Sequence, residues 1–273
     1  MFPQSRGALY FHWHFGSLMI TVLTILTAAC GSGGNVSVQA SAGPASFDDE
    51  FNGSALDTTQ WVAMNRPGDS SNNELQYYLP TNVNLSSGLL NITSKADNSV
   101  SGYQYTSGMV QWKSFNFTYG TIEFRAQMAG GQGTWSGGWL LGSNCQQTNV
   151  NSADNISPCN WPEPGSDEID IAEIKGGNLN TVWQNVISGS SGFQSCNPTT
   201  TDVSQNRHTY DLIWAPGSLT WQIDGVTTCH ITSGVPTTPM FFIVDTAMGG
   251  AGGAVNSSTL PQTLSLDYVR VTP

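Results

Sequence analysis

After residue 46 no segment of the chain repeats its apolar residues with helical spacing. Short runs rich in Val, Ile, Thr and aromatic residues stand between turn residues instead. Strands are predicted over Leu89–Lys95, Thr106–Trp112, Gly120–Gln127, Gly138–Leu141, Glu168–Ile174, Thr181–Ile187, His208–Ala215, Ser218–Ile223, Met240–Thr246 and Thr263–Val271. In Thr121-Ile122-Glu123-Phe124-Arg125-Ala126 one face is apolar and the other polar, as in a sheet packed on a core with its other face wet. Scarce charge agrees with this: 10% of the 273 residues are charged, so the Lys and Glu that fill exposed helix faces are few. With 9 Trp, 8 Tyr and 11 Phe there is apolar area for a sizeable core. The stretch 47–273, about 225 residues without an internal linker or repeat, therefore reads as a single all-β domain, an antiparallel β-sandwich. A formal charge of -11 gives no footprint for a phosphate backbone and argues against nucleic acid as a partner. The domain is expected to act as a monomer.

Residues 1–30 are read separately. Leu18 to Ala29 is an apolar run too short to cross a bilayer but suited to a signal-peptide core, which predicts export. Leu26-Thr27-Ala28-Ala29-Cys30 resembles a bacterial lipoprotein box with its leucine one place early, so a lipid anchor at Cys30 is preferred. Ala40-Ser41-Ala42 suits ordinary signal peptidase and a freely secreted product. Residues 31–46 read as a flexible Gly/Ser linker.

With Cys30 set aside, Cys145, Cys159, Cys196 and Cys229 form an even set in an exported chain, which predicts two disulfides. Three pairings satisfy the count; Cys145 with Cys159, closing one polar loop, and Cys196 with Cys229 are expected. Past the signal only His208 and His230 remain, both in strand-like runs, which argues against zinc and against a Ser/His/Asp triad.

The loop from Asn144 to Gly165 leads into Ser166-Asp167-Glu168-Ile169-Asp170-Ile171-Ala172-Glu173-Ile174, where three carboxylates sit among apolar residues. On a regular strand Glu168 and Asp170 share a face and Glu173 points away; one extra residue around Ile171-Ala172, a β-bulge, restores Glu173 to that face. Three acids on one face repel, so at least one keeps its proton at neutral pH, as a two-carboxylate glycosidase requires of its general acid. A flat strand leaves the outer pair roughly 13 Å apart at the backbone, whereas a retaining mechanism needs carboxyl groups about 5 to 5.5 Å apart, so the sheet must curve. A hard-cation site and a solvated strand face are the alternatives. The strand does not resemble a calcium loop, and its Ile neighbours indicate a central strand where unpaired acids are costly.

Glu168-Ile169-Asp170-Ile171-Ala172-Glu173 resembles the signature of glycoside hydrolase family 16 in its six-residue, bulged form. Five further stretches resemble family segments in order. These are Phe47-Asp48-Asp49-Glu50-Phe51-Asn52-Gly53, Asn72-Asn73-Glu74-Leu75-Gln76-Tyr77-Tyr78, Thr118 to Ala126, Trp135-Ser136-Gly137-Gly138-Trp139-Leu140-Leu141-Gly142, and Leu266-Asp267-Tyr268-Val269-Arg270-Val271. The second points to the laminarinase-like branch, whose members cleave β-1,3- or mixed β-1,3/1,4-glucans.

The resemblance implies a β-jelly roll of two curved antiparallel sheets with a concave cleft. It implies a polysaccharide substrate and no catalytic cofactor. By motif position Glu168 is the nucleophile, Glu173 the general acid/base, and Asp170 the carboxylate between them. Trp135 and Trp139 are expected to stack on sugar rings, Trp139 alternatively being a core residue, and Asn73 to hydrogen-bond glucose hydroxyls. Glu50, Gly88 and Asp267 match places where the family often holds calcium; an ordinary strand-end aspartate is the alternative for Asp267. Where laminarinases often carry an Arg after Ser-Gly, this chain has Ser107-Gly108-Met109, and Trp183 and Ile187 replace two histidines. Trp183 is a new stacking platform or a core residue. The Asn144 to Gly165 insertion is expected to rim the cleft. Alternatives to an endo-acting β-glucanase are the same fold acting on a galactan or transferring glycosyl groups, and a non-catalytic glycan-binding module. The intact Glu168/Glu173 pair argues against the module, and the few Lys and Arg argue against a sulfated galactan.

Overall fold

Leu89–Ala96, Gly120–Gln127 and Ser218–Ile223 alternate buried and more exposed residues along their length, so each contributes one apolar face to the core. The computed structural model describes residues 46–147, 151 and 159–273. The expected signal segment 1–30, Cys30 and positions 31–45 of the expected linker lie outside the described residues.

Two sheets stack as the sandwich that the alternation requires. One has eleven strands. Its main path runs Val226–Ile231, Ser218–Ile223, His208–Ala215, Gly120–Gln127, Gln262–Thr272, Leu89–Ala96, Tyr105–Ser107, Gln76–Tyr78 and Arg66–Pro67. Phe47–Asp49 adds to Gln262–Thr272, and Val83–Ser86 to Leu89–Ala96. The other sheet has seven strands, in the order Gly192–Cys196, Asn178–Ser188, Glu168–Lys175, Thr134–Gly142, Met240–Met248, Met109–Trp112 and Trp61–Ala63. The architecture is the expected all-β jelly roll, with one difference. Gln76–Tyr78 pairs in parallel with Tyr105–Ser107, which is possible because the intervening chain is long enough to cross over.

A single strand was expected over Thr106–Trp112. It divides at Gly108, the first part joining one sheet and the second the other. A Cβ at Gly108 would lie 2.8 Å from a Val83 methyl and 3.1 Å from an Ile92 methyl, so only glycine lets the chain pass this point.

Between the sheets, Phe124 stacks on Tyr210 with ring centroids 5.2 Å apart and meets Phe242 of the facing sheet at 5.4 Å. Gly138 faces this core: a Cβ there would lie 2.6 Å from the Phe124 ring. Both expected disulfides are present, Cys145–Cys159 and Cys196–Cys229. Cys196 is on the edge strand of the seven-stranded sheet and Cys229 on the edge strand of the other, so the second bridge ties the sheets together at one end.

Of Glu50, Gly88 and Asp267, expected to hold calcium, the two acids have other partners within the chain. The Glu50 carboxylate accepts hydrogen bonds from Arg270, and Asp267 forms ion pairs with Arg125 at 2.5 Å and Arg207 at 3.7 Å. Gly88 lies in a turn at φ +70. Arginines pair with both carboxylates, and no group of three or more His, Cys, Asp or Glu side chains that could hold a metal occurs among the described residues.

Candidate active site

The cleft-facing side of the seven-stranded sheet is organised by one extra residue. Across the pair formed by Thr134–Gly142 and Glu168–Lys175, Trp139 is opposite Asp170 while Gly138 is opposite Ala172, leaving Ile171 without a partner. The ladder on the other side also skips between Asp170 and Glu173. This is the predicted bulge, and it turns both Ile171 and Ala172 to the core while Glu168, Asp170 and Glu173 face the cleft together. A bulge disrupts the local ladder. Here the Asp170 carbonyl accepts a hydrogen bond from the indole N–H of Trp221, a fully buried residue of the facing sheet, at 2.9 Å. A core tryptophan therefore pins the acidic strand at its irregular point.

Asn185 joins the acids. Its amide nitrogen donates to Asp170 Oδ2 at 2.8 Å and to Glu173 Oε2 at 2.9 Å, and Ser195 Oγ donates to its Oδ1 at 2.7 Å. The serine thus fixes which end of the amide faces the acids. Trp135 Nε1 donates to the other Glu173 oxygen at 2.8 Å.

Burial pushes the Glu168 carboxyl well above the usual carboxylate range, and Asp170 and Glu173 push it further. Glu173 is raised well above that range too, first by burial and then by Asp170, while the Trp135 N–H acts in the opposite sense. Asp170 is raised to about 6 by burial, against the hydrogen bond from Asn185. Three such groups cannot all ionise near neutral pH. A proton retained on Glu173 removes its repulsion of Glu168, so the arrangement favours one carboxylic acid beside one carboxylate.

The cleft has two unlike flanks. Toward Met240–Met248, Asp245 shares a register row with Gly137 and Glu173, and side-chainless Gly137 leaves the floor open between the two acids. Tyr78 Oη donates to Asp245 Oδ2 at 2.5 Å and lies 3.3 Å from Glu74 Oε2, which also accepts from Gln76 Nε2 at 2.7 Å and from the Asp69 N–H at 2.9 Å. Burial pushes Asp245 to about 8 with help from Glu74, and burial raises Glu74 as well. The opposite flank is apolar and aromatic, lined by Trp183, Ile187, Phe193 and Trp161. Trp161 comes from the Cys-containing insertion and bears on Glu168, so part of that insertion rims the cleft as expected; residues 148–150 and 152–158 lie outside the described residues.

Trp135 and Trp139 both line the cleft, and Trp139 also packs partly on the core. Trp183 lines it with one face covered by the Lys175 ammonium, 4.1 Å from the ring centroid. Asn73 is placed differently from expectation. It is exposed in a left-handed turn, where its carbonyl accepts from the Gly250 N–H, and the loop presents Asn72 and Glu74 to the cleft instead. Asn185, Ser195, Asp245, Tyr78 and Phe193 were not singled out from the sequence. Asp245 had a usable signal, a lone acid in the otherwise uncharged run Met240–Met248. Asn185 had none, since only strand register brings it to the acids.

A family model described as Glycosyl hydrolases family 16 matches residues 61–268. The chain is 30% identical over 252 residues to the endo-1,3-1,4-beta-glycanase ExsH of Rhizobium meliloti (strain 1021), covering 82% of this chain and 50% of that protein. It is 29% identical over 267 residues to glucan endo-1,3-beta-glucosidase A1 of Niallia circulans, covering 82% and 37%. The chain thus spans half or less of the length of these relatives. Among solved structures, laminarinase from Flavobacterium sp. UMI-01 superposes with a TM-score of 0.72 at 28% identity, covering 84% of this chain and all of that one. The catalytic domain of an endo-1,3-beta-glucanase from Thermotoga petrophila RKU-1 gives 0.74 at 25% identity, covering 84% and 96%.

Proposed function

Because the chain belongs to glycosyl hydrolases family 16, we propose that it is an endo-acting retaining glycosidase that cleaves a β-1,3- or mixed β-1,3/1,4-glucan. The carrying observation is the bulge that presents Glu168, Asp170 and Glu173 together on the cleft floor. The names of the relatives support the glucan. In the first step the Glu168 carboxylate attacks the anomeric carbon, the bond to the departing sugar breaks, and Glu173 gives its proton to the departing oxygen. In the second, Glu173 takes a proton from water, the water oxygen attacks the same carbon, and the ester to Glu168 breaks. The N–H donors from Trp135 and Asn185 favour the ionised Glu173 of this second step. Asp170, held by Asn185, tunes both neighbours by its charge.

Trp135 and Trp139 are the sugar-stacking surfaces of this reading, with Trp183 offering its uncovered face. We further place the mature protein outside the cytoplasm, lipid-anchored at Cys30; mass spectrometry finding an unmodified N-terminus at Gly43 would overturn the anchor. The function is tested on laminarin, lichenan, agarose, carrageenan and xyloglucan, with NMR of the first product formed. Release of β-anomeric oligosaccharides from laminarin or lichenan is expected. Activity on galactans alone, or α-anomeric product, would overturn the reading.

A further inference from the structure

The cations of this chain are few enough to account for one by one, and among the described residues all but one have an evident structural use. Lys95 pairs with Asp97, Lys113 donates to the Thr58 carbonyl, Arg125 and Arg207 pair with Asp267, and Arg270 pairs with Glu50. Arg66 donates to the Pro67 carbonyl and lies over the Tyr78 ring, and Arg6 lies outside the described residues. Lys175 is the exception. Its ammonium makes no hydrogen bond to, or ion pair with, any described residue, and it is held instead over the face of Trp183. Lys175 is two residues beyond Glu173 on the same face of the same strand, opposite Trp135 in register, and it lines the cleft. Its charge acts on Glu173 nearby, lowering that carboxyl against burial, but it forms no direct pair, and contact with the indole holds the ammonium in place, so less side-chain freedom is lost when an anion binds there.

Resting on the glucanase reading and narrowing its substrate, we propose that Lys175, held between Trp135 and Trp183, is a subsite for an acidic substituent, a carboxylate or sulfate carried by a sugar next to the point of cleavage. Beyond its effect on Glu173, an ammonium lining the cleft has no group to meet on a neutral glucan, whereas the tryptophans on either side offer faces for the ring that carries an acidic substituent. The acids around Lys175 in the cleft are Glu173 and Asp170 on its own strand, with Asp245 one register row away, across Gly137 from Glu173. The subsite is therefore fit for one anionic group at one position rather than for a densely charged polymer.

The test compares laminarin with carboxymethylated laminarin at low ionic strength for the unaltered protein, Lys175→Met and Lys95→Met. Lys175→Met keeps an apolar stem against Trp183, and Lys95→Met removes the same charge from the other sheet. The unaltered protein and Lys95→Met are expected to favour the carboxymethylated polymer in kcat/KM. In Lys175→Met the ratio between the two polymers falls about three- to fivefold, the size of a partly exposed ion pair. Salt of about 1 M abolishes the preference. An unaltered ratio in Lys175→Met overturns the proposal. So does a shifted alkaline limb without selectivity, which would mean that Lys175 serves Glu173. Migration of the Glu168→Gln protein through gels containing either polymer reads binding without turnover. Retarded migration in the carboxymethylated gel, with no hydrolysis by the unaltered protein, would sink the hydrolase reading and leave the subsite standing.

Discussion

Around the eleven-stranded sheet Glu50, Glu123 and Asp267 stand beside Arg270, Arg125 and Arg207, whereas on the cleft floor of the seven-stranded sheet Glu168, Asp170, Glu173 and Asp245 stand mainly beside one another. The first set has its charge balanced at the surface, where an ion pair adds little. The second is buried, with Lys175 acting on Glu173 and Arg66 on Asp245 too weakly to offset burial, and it holds its protons to higher pH, a costly arrangement that a structural role does not require. Acids of the same types are thus ordinary where arginines pair them at the surface and shifted where burial gathers them; the difference lies in burial and partner. Asp211 of the eleven-stranded sheet shows the same, raised to about 7 by burial with help from Glu123.

The comparison breaks most sharply at Glu168. Glu168→Gln is expected to lower kcat by about 10^4-fold or more while the protein still melts as a folded domain; sugar release at the native rate would end the assignment. Asn185→Ala is expected to cost about 10^2-fold in kcat, because the acids lose the donor that aligns them. It also removes a hydrogen bond that lowers Asp170, so pH profiles should move to higher pH. An effect on melting alone would reduce Asn185 to a packing residue.

Asp245→Asn sharpens the contrast through stability. A carboxyl raised by burial stabilises the fold while protonated, and that contribution is lost as pH rises from the unfolded value near 4 through the folded value of about 8. The asparagine has no such loss and still accepts from Tyr78, so its Tm relative to the unaltered protein should rise by roughly 10 °C between pH 5 and pH 9, about 4 kcal/mol. A Tm difference that does not change with pH would show Asp245 to be ionised throughout. Arg270→Met gives the smallest effect, a loss of about 1 kcal/mol or less that shrinks in salt, measured by urea unfolding.

Long alternating runs made the fold legible: Gly120–Gln127, His208–Ala215 and Ser218–Ile223 have the expected bounds. Short or polar strands such as Trp61–Ala63, Gln76–Tyr78 and Gly192–Cys196 did not announce themselves, because their pairing is decided by neighbours distant in sequence. The three acids and the need for a bulge were visible because charge in an apolar run is conspicuous. The groups that hold them were not, since Asn185 and Ser195 are unremarkable polar residues until register places them. The loop around Asn73 was identified, but which of its side chains turns inward depends on the left-handed turn there.

Gly137 and Gly138 are adjacent in sequence and open to change in opposite degrees. A methyl at 137 would meet Glu173 Cγ and Trp139 Cδ1 at 3.6 Å, ordinary contact distances, and would stand on the cleft floor; at 138 it would enter the Phe124 ring. The boundary between what can be retailored and what must be kept therefore runs through a single peptide bond. Libraries aimed at new polysaccharides can vary position 137 and keep the sandwich, provided the neighbouring glycine is left alone.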